Sequence, residues 1–277
     1  DTTETQASGS KMAYISMGTA ICPMFGPALG GLLDGWFGWE ANFWFIGGLG
    51  FFILLIAYFD LGETVPENTQ GFRQQFSEYP ELLLSRRFWG YCLASAFGAG
   101  AFFAYLGGGP FVGSIVYNLS PEMLGLYFGA PAIGYFFGNF LSGRFTILFG
   151  IDAMILWGLW IIFSGLSLSM VCSYVGYGTV ETFFGFMIFV GLGNGLTIPN
   201  ATAGMLSVRP HLAGTASGLG GAMMIAIGAA LSTLAGAFLI PGSNEMPLLM
   251  LMWFSSLSGV AVIIYVRQRN KRLKKTV

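Results

Sequence analysis

Residues 247–266 read PLLMLMWFSSLSGVAVIIYV, twenty residues without a charge, followed at once by RQRNKRLKK over 267–275. Twenty helical residues rise about 30 Å, the thickness of a bilayer's hydrocarbon core. A basic cluster at one end of such a run fixes that end on one side of a membrane. A water-soluble helix would need a continuous polar face, and this stretch offers only scattered serines.

Seven further runs of the same kind stand upstream, at 12–33, 42–60, 88–109, 123–142, 152–172, 180–201 and 213–238. The whole chain agrees with them: of 277 residues 55% are hydrophobic and 9% charged, and mean hydropathy is +0.69. Soluble chains carry about 25% charged residues, so this one cannot cover itself with a water-facing surface. The expected fold class is all-α, a polytopic membrane helical bundle whose core is shared with lipid. Continuous apolar runs, rather than alternating segments of about ten residues, argue against a β-barrel. The first run is too long for a cleavable signal peptide. A net charge of −1 gives no footing for nucleic acid. Cys22, Cys92 and Cys172 are far apart and read as small buried hydrophobes rather than a disulfide framework.

The loops set a sidedness. Lys11, Arg73, Arg86, Arg87, Arg144, Arg209 and the six basic residues of the C-terminal tail all fall on one side of the eight runs. The opposite loops carry only Asp34, Glu40, Glu122, Glu181 and Glu245. By the positive-inside rule both ends of the chain are expected in the cytoplasm. The tail is read first as a topology anchor, with attraction to an anionic leaflet as the second reading.

One connection is long. Residues 61–87, LGETVPENTQGFRQQFSEYPELLLSRR, divide two spans from six. Three regions follow: 1–60, the end of one helical half; 61–87, a central cytoplasmic loop; and 88–277, a complete six-helix half with a basic tail. Two spans before such a loop make only part of a half, so the chain is expected to be a fragment lacking about four spans, with an intact eight-span protein as the alternative. Glycines four apart, at Gly26/Gly30, Gly134/Gly138, Gly191/Gly195 and Gly214/Gly218, are expected to let helix backbones approach closely in lipid.

The first run, GTAICPMFGPALGGLLDGWFGW over 18–39, holds Pro23 and Pro27 inside it. Each removes a backbone hydrogen bond, so a kink is expected, with Gly26, Gly30 and Gly31 forming a flat face beside it. Gly26-Pro27-x-x-Gly30-Gly31 resembles the core of the antiporter motif in the fifth span of major facilitator drug–proton antiporters. Cys22 departs from the glycine that the family has four residues before the Gly-Pro pair. FGWEANFWF (37–45) resembles the family's entry to its sixth span, with Glu40 where basic or neutral residues are commoner. FWGYCLASAFGAGAFFAYLGGGPFV (88–112), SPEMLGLYF (120–128), NFLSGRF (139–145) and RPHLAGTASGLGGA (209–222) resemble the bicyclomycin and chloramphenicol resistance (Bcr/CflA) branch. The resemblance covers essentially the whole chain and aligns it with spans 5–12 of a twelve-span major facilitator fold. It implies a central cavity, proton-driven export of drugs, no cofactor beyond the proton gradient, a monomer, and a bacterial inner membrane. It also implies a coupling Asp in a first span, a basic gating loop and a fourth-span Arg, none of which this chain contains.

Proton coupling needs an ionisable group within the bilayer. All thirteen acids lie in loops or at span ends, and no Lys or Arg lies mid-span. His211, the only histidine, falls beside Pro210 and reads as a loop or helix-start residue. Asp152 and Glu181 begin spans and are expected to cap helices. Candidate walls of a substrate cavity are the polar and aromatic residues inside spans: Tyr91, Ser95, Phe102, Phe103, Tyr105, Tyr135, Asn139, Asn194, Thr197 and Asn200. Interhelical hydrogen bonding is the competing role for each polar one. Met223 and Met224 could also face the cavity, since thioethers adapt their shape. The resemblance places Arg144 in a gating loop between the family's eighth and ninth spans, where it would bond helix-end carbonyls or a carboxylate such as Asp152; a positive-inside topology anchor is the equal alternative. One histidine and no mid-span acid disfavour a membrane enzyme or a metal site, and no G-x-x-x-x-G-K-[ST] loop is present. A secondary drug exporter leads; a nutrient symporter and a non-transporting truncated protein are the alternatives.

Overall fold

The computed structural model describes residue 33, residues 36–60 and residues 80–275. The expected span at 12–33, with Gly26, Pro27, Gly30 and Gly31, thus lies essentially outside the described residues. Among the described residues eight α-helices have defined bounds: α1 (Glu40–Asp60), α2 (Arg86–Phe111), α3 (Pro121–Phe128), α4 (Ala130–Phe149), α5 (Ile151–Tyr174), α6 (Val180–Val208), α7 (Ala213–Phe238) and α8 (Met246–Lys275). Among the described residues six helical segments are long and apolar enough to cross a membrane: 40–60, 86–116, 151–174, 180–208, 210–238 and 246–270.

The helix starts follow local chemistry. Ser85 accepts from the Phe88 amide at the start of α2, Ser120 from the Met123 amide at α3, and Thr179 forms a capping box with Thr182 at α6. Thr179 caps α6 with Glu181 in its first turn, and Asp152 lies in the first turn of α5, whose start at Gly150 has no side-chain cap. Pro110 near the end of α2 is followed by a π-helical turn, Val112–Val116, which relaxes the ladder that a proline disrupts.

The run expected at 123–142 is two helices. It breaks at Gly129, ahead of Pro131, and continues to Phe149. Asn139, Ser142 and Arg144 all lie within α4, which lowers its apolarity. A single residue, Gly150, joins α4 to α5 at φ +81°. Arg144 is therefore not in a loop: the connection contains no room for one.

α6 is the centre of the packing, with α4 and α5 against it on two sides and α2 across it; α2 in turn packs on α7 and α8. Glycine allows this closeness between α4 and α6. A methyl at Gly134 would strike the Ile188 carbonyl, one at Gly138 the Leu192 carbonyl, and one at Gly191 the Pro131 carbonyl. Two of the expected glycine pairs thus belong to one interface. A third, Gly214/Gly218, has open space around it. The core, including Phe88, Tyr105, Leu159, Ile162, Phe184, Met187 and Met252, is fully buried. None of the residues of α1 is buried.

Candidate functional site: an aromatic-walled cavity

A cavity of about 430 Å³ opens between α2, the α3–α4 break, α6 and α7. Ala99, Phe102, Phe103 and Leu106 form the α2 wall; Phe128, Gly129, Pro131, Ala132 and Tyr135 the second; Gly191, Asn194 and Ile198 the α6 wall; Met224 closes it from α7. No charged residue lines it. The break at Gly129 matters, because it turns the α3 end so that Phe128 stacks on Tyr105 with ring centroids 4.7 Å apart. The Tyr105 hydroxyl donates to the Phe128 carbonyl at 3.0 Å and so satisfies a helix-end acceptor. On the other side Gly228 of α7 leaves the space that the Phe103 ring fills.

The expected wall residues divide. Phe102, Phe103, Tyr135, Asn194 and Met224 line the cavity. Ser95 stands close behind it, its hydroxyl 3.7 Å from the Met224 sulfur. Asn139 and Asn200 do not line it. Asn200 is fully buried; its amide nitrogen donates to Ser142 Oγ at 2.6 Å and to the Leu196 carbonyl at 2.7 Å, and its oxygen lies 2.9 Å from Thr146 Oγ1. That network joins α4 to α6. Asn139 donates to the Tyr135 carbonyl at 2.8 Å within its own helix. Hydrogen bonding, the competing role, accounts for Asn200 in full and for the Asn139 amide nitrogen, while Asn139 Oδ1 is buried without a partner among the described residues.

Tyr91 is also away from the cavity. Its hydroxyl donates to Asp152 Oδ1 at 2.7 Å, and Asn270 Nδ2 donates to Asp152 Oδ2 at 2.9 Å. The three residues bind the first turns of α2 and α5 to the last turns of α8. Asp152 is thus engaged by Tyr91 and Asn270 rather than by Arg144, which is exposed and makes no hydrogen bond or ion pair among the described residues. The tyrosine–aspartate–asparagine cluster was not legible in sequence, because its members are 61 and 118 or more residues apart. His211 stands in a 3₁₀ turn over Pro210–Leu212, with its Nε2 3.7 Å from Glu81 Oε2.

Asn194 differs from every other buried asparagine. It is 3% exposed, and neither its amide nitrogen nor its oxygen has a partner. The Thr197 hydroxyl, one turn on, is equally unpartnered. A methyl on Gly98 would approach the Asn194 oxygen at 3.2 Å, so the amide is held where α2 has no side chain. Unpaired buried polar groups are rare and costly, and they concentrate where a protein does something other than pack. At the opposite end of the bundle Glu245 is buried, and it accepts from Ser173 Oγ. Burial and the Glu245 carboxylate both push the Tyr117 phenol up, which keeps it neutral.

With this architecture stands a match of residues 1–233 to the Major Facilitator Superfamily. The chain belongs to that superfamily. Its members are transporters, not enzymes. The relatives of this superfamily protein include the bicyclomycin resistance protein homolog of Haemophilus influenzae, 27% identical over 270 residues, covering 94% of this chain and 65% of the relative. The chloramphenicol resistance protein of Pseudomonas aeruginosa is 30% identical over 231 residues, covering 79% and 53%. The multidrug resistance protein D of Escherichia coli K12 is 26% identical over 254 residues, covering 91% and 62%. The chain therefore spans less than two thirds of the length of these relatives.

Proposed function

We propose that this superfamily protein is a secondary active exporter of small amphipathic drugs or metabolites, working by alternating access in a bacterial inner membrane. The carrying observation is the aromatic, uncharged cavity between α2, α4, α6 and α7. Such a wall takes varied apolar bodies through ring stacking and a flexible thioether, and one amide supplies polar selection. The names of the relatives, which concern bicyclomycin, chloramphenicol and multiple drugs, support the same reading.

In this reading residues 1–60 close one helical half, 61–87 form the cytoplasmic connection, and 88–277 form the other half, with both ends of the chain in the cytoplasm. The protein acts as a monomer. The proton gradient supplies the energy and no cofactor is needed. Gly26, Pro27, Gly30 and Gly31 serve as a kinked seal, and Arg144 favours one conformation from within α4.

The test is drug accumulation in an efflux-deficient bacterium expressing the complete gene product. Chloramphenicol accumulation should fall severalfold, and a protonophore should restore it. Phe103→Ala and Tyr135→Ala should each weaken export while leaving the amount of membrane-inserted protein unchanged. Accumulation that rises with expression would instead identify an importer, and accumulation that stays unchanged would remove the transport reading.

A further inference from the structure

A second cavity, of about 460 Å³, lies at the bundle end where α2 begins, α6 ends and α8 leaves the membrane. Its lining includes Arg86, Arg87, Arg209 and Arg269, with Glu81 as the only acid. That acid is already engaged: Arg209 Nε donates to Glu81 Oε1 at 2.5 Å, and His211 stands on its other oxygen. Arg86, Arg87 and Arg269 form no ion pair or hydrogen bond among the described residues. The Nε of Arg87 is moreover buried with no acceptor. Arg87 and Arg269 are partly covered here, and Arg86 is exposed at the rim. These three converge on one hollow, and the amino end of α2 adds its partial positive charge there.

We propose that this cavity binds a phosphate group. A guanidinium is a rigid fork that matches phosphate oxygens, and a tetrahedral phosphate offers acceptors to three forks at once. The hollow lies at the depth where a helix leaves the hydrocarbon, so the phosphate belongs either to an anionic phospholipid headgroup or to a soluble phosphate. The site is separate from the aromatic cavity and does not depend on what that cavity transports.

Two arms of one experiment separate the sources, using the purified full chain at constant ionic strength. In the first, native mass spectrometry compares retention of phosphatidylglycerol and phosphatidylcholine. In the second, thermal unfolding in detergent is followed with inorganic phosphate against chloride. The Arg87→Gln/Arg269→Gln double variant should reduce whichever response the wild type shows by about 10-fold or more, since charge-assisted hydrogen bonds are lost. Arg87→Lys/Arg269→Lys should retain part of it and reports on folding. Preference for phosphatidylglycerol without a phosphate shift assigns the lipid, and the converse assigns the soluble anion. Absence of both responses overturns the proposal. So does an equal loss in Arg272→Gln/Lys274→Gln, which would place the effect in the tail's diffuse charge.

Discussion

Two asparagines six residues apart in α6 carry opposite predictions. Asn200 is saturated by Ser142, Thr146 and the Leu196 carbonyl. Asn200→Ala leaves those groups buried without partners and should destabilise the protein by about 1–3 kcal/mol. Asn194 has no partner to lose. Asn194→Leu, close to it in shape, should therefore leave stability unchanged or raise it, while altering which drugs are exported. Thermal unfolding of both variants in one detergent checks the sign; equal destabilisation would show that Asn194 is a packing residue. Tyr91→Phe removes a hydrogen bond to a carboxylate and should cost about 1.5–3 kcal/mol, and Asp152→Asn should cost less after Tyr91→Phe than before it. A double-mutant cycle measures that coupling.

At the scale of elements the α4–α6 interface is set by backbones rather than side chains. Gly191→Ala puts a methyl into the Pro131 carbonyl, and Gly134→Ala puts one into the Ile188 carbonyl. Neither obstacle is a flexible side chain, so the helices must separate, and both variants should lose folded protein in a detergent-resistance assay. Gly214→Ala and Gly218→Ala meet nothing within 4 Å and should leave it intact. The four positions share one sequence pattern, and only contact with a neighbouring helix separates them. At the α4–α5 junction, Gly150 at φ +81° and ψ 157° occupies backbone space that suits glycine almost alone. Gly150→Ala should cost about 1–3 kcal/mol, read by the same unfolding measurement.

For the whole molecule the two hollows have opposite chemistry. The cavity between α2, α4, α6 and α7 is aromatic and uncharged, while the one at the end of α2 holds four arginines. Raising ionic strength should therefore weaken binding at the arginine hollow and leave drug binding at the aromatic cavity nearly unchanged. Salt titration of a retained anionic lipid, set beside equilibrium binding of chloramphenicol, measures both. A parallel loss of the two would mean that a single electrostatic surface governs binding.

The all-α membrane fold was written in composition and in the length of the apolar runs, because a bilayer demands about twenty helical residues per crossing and permits few charges. Resemblance in short motifs reached the superfamily to which the chain belongs. Polar and aromatic residues inside spans were legible as candidates only: Phe103, Tyr135 and Asn194 line the aromatic cavity, whereas Tyr91, Asn139 and Asn200 hydrogen-bond elsewhere. The break at Gly129 and the placing of Arg144 within α4 were not legible, since a helix can run on through an arginine that stays exposed on its outer face, and a glycine before a proline can either continue or end a helix. Nor did any local pattern tell Asn194 from Asn200, or Gly191 from Gly214. In lipid an asparagine or a glycine acquires its role from what the facing helix presents, and only the tertiary structure decides which helix faces it.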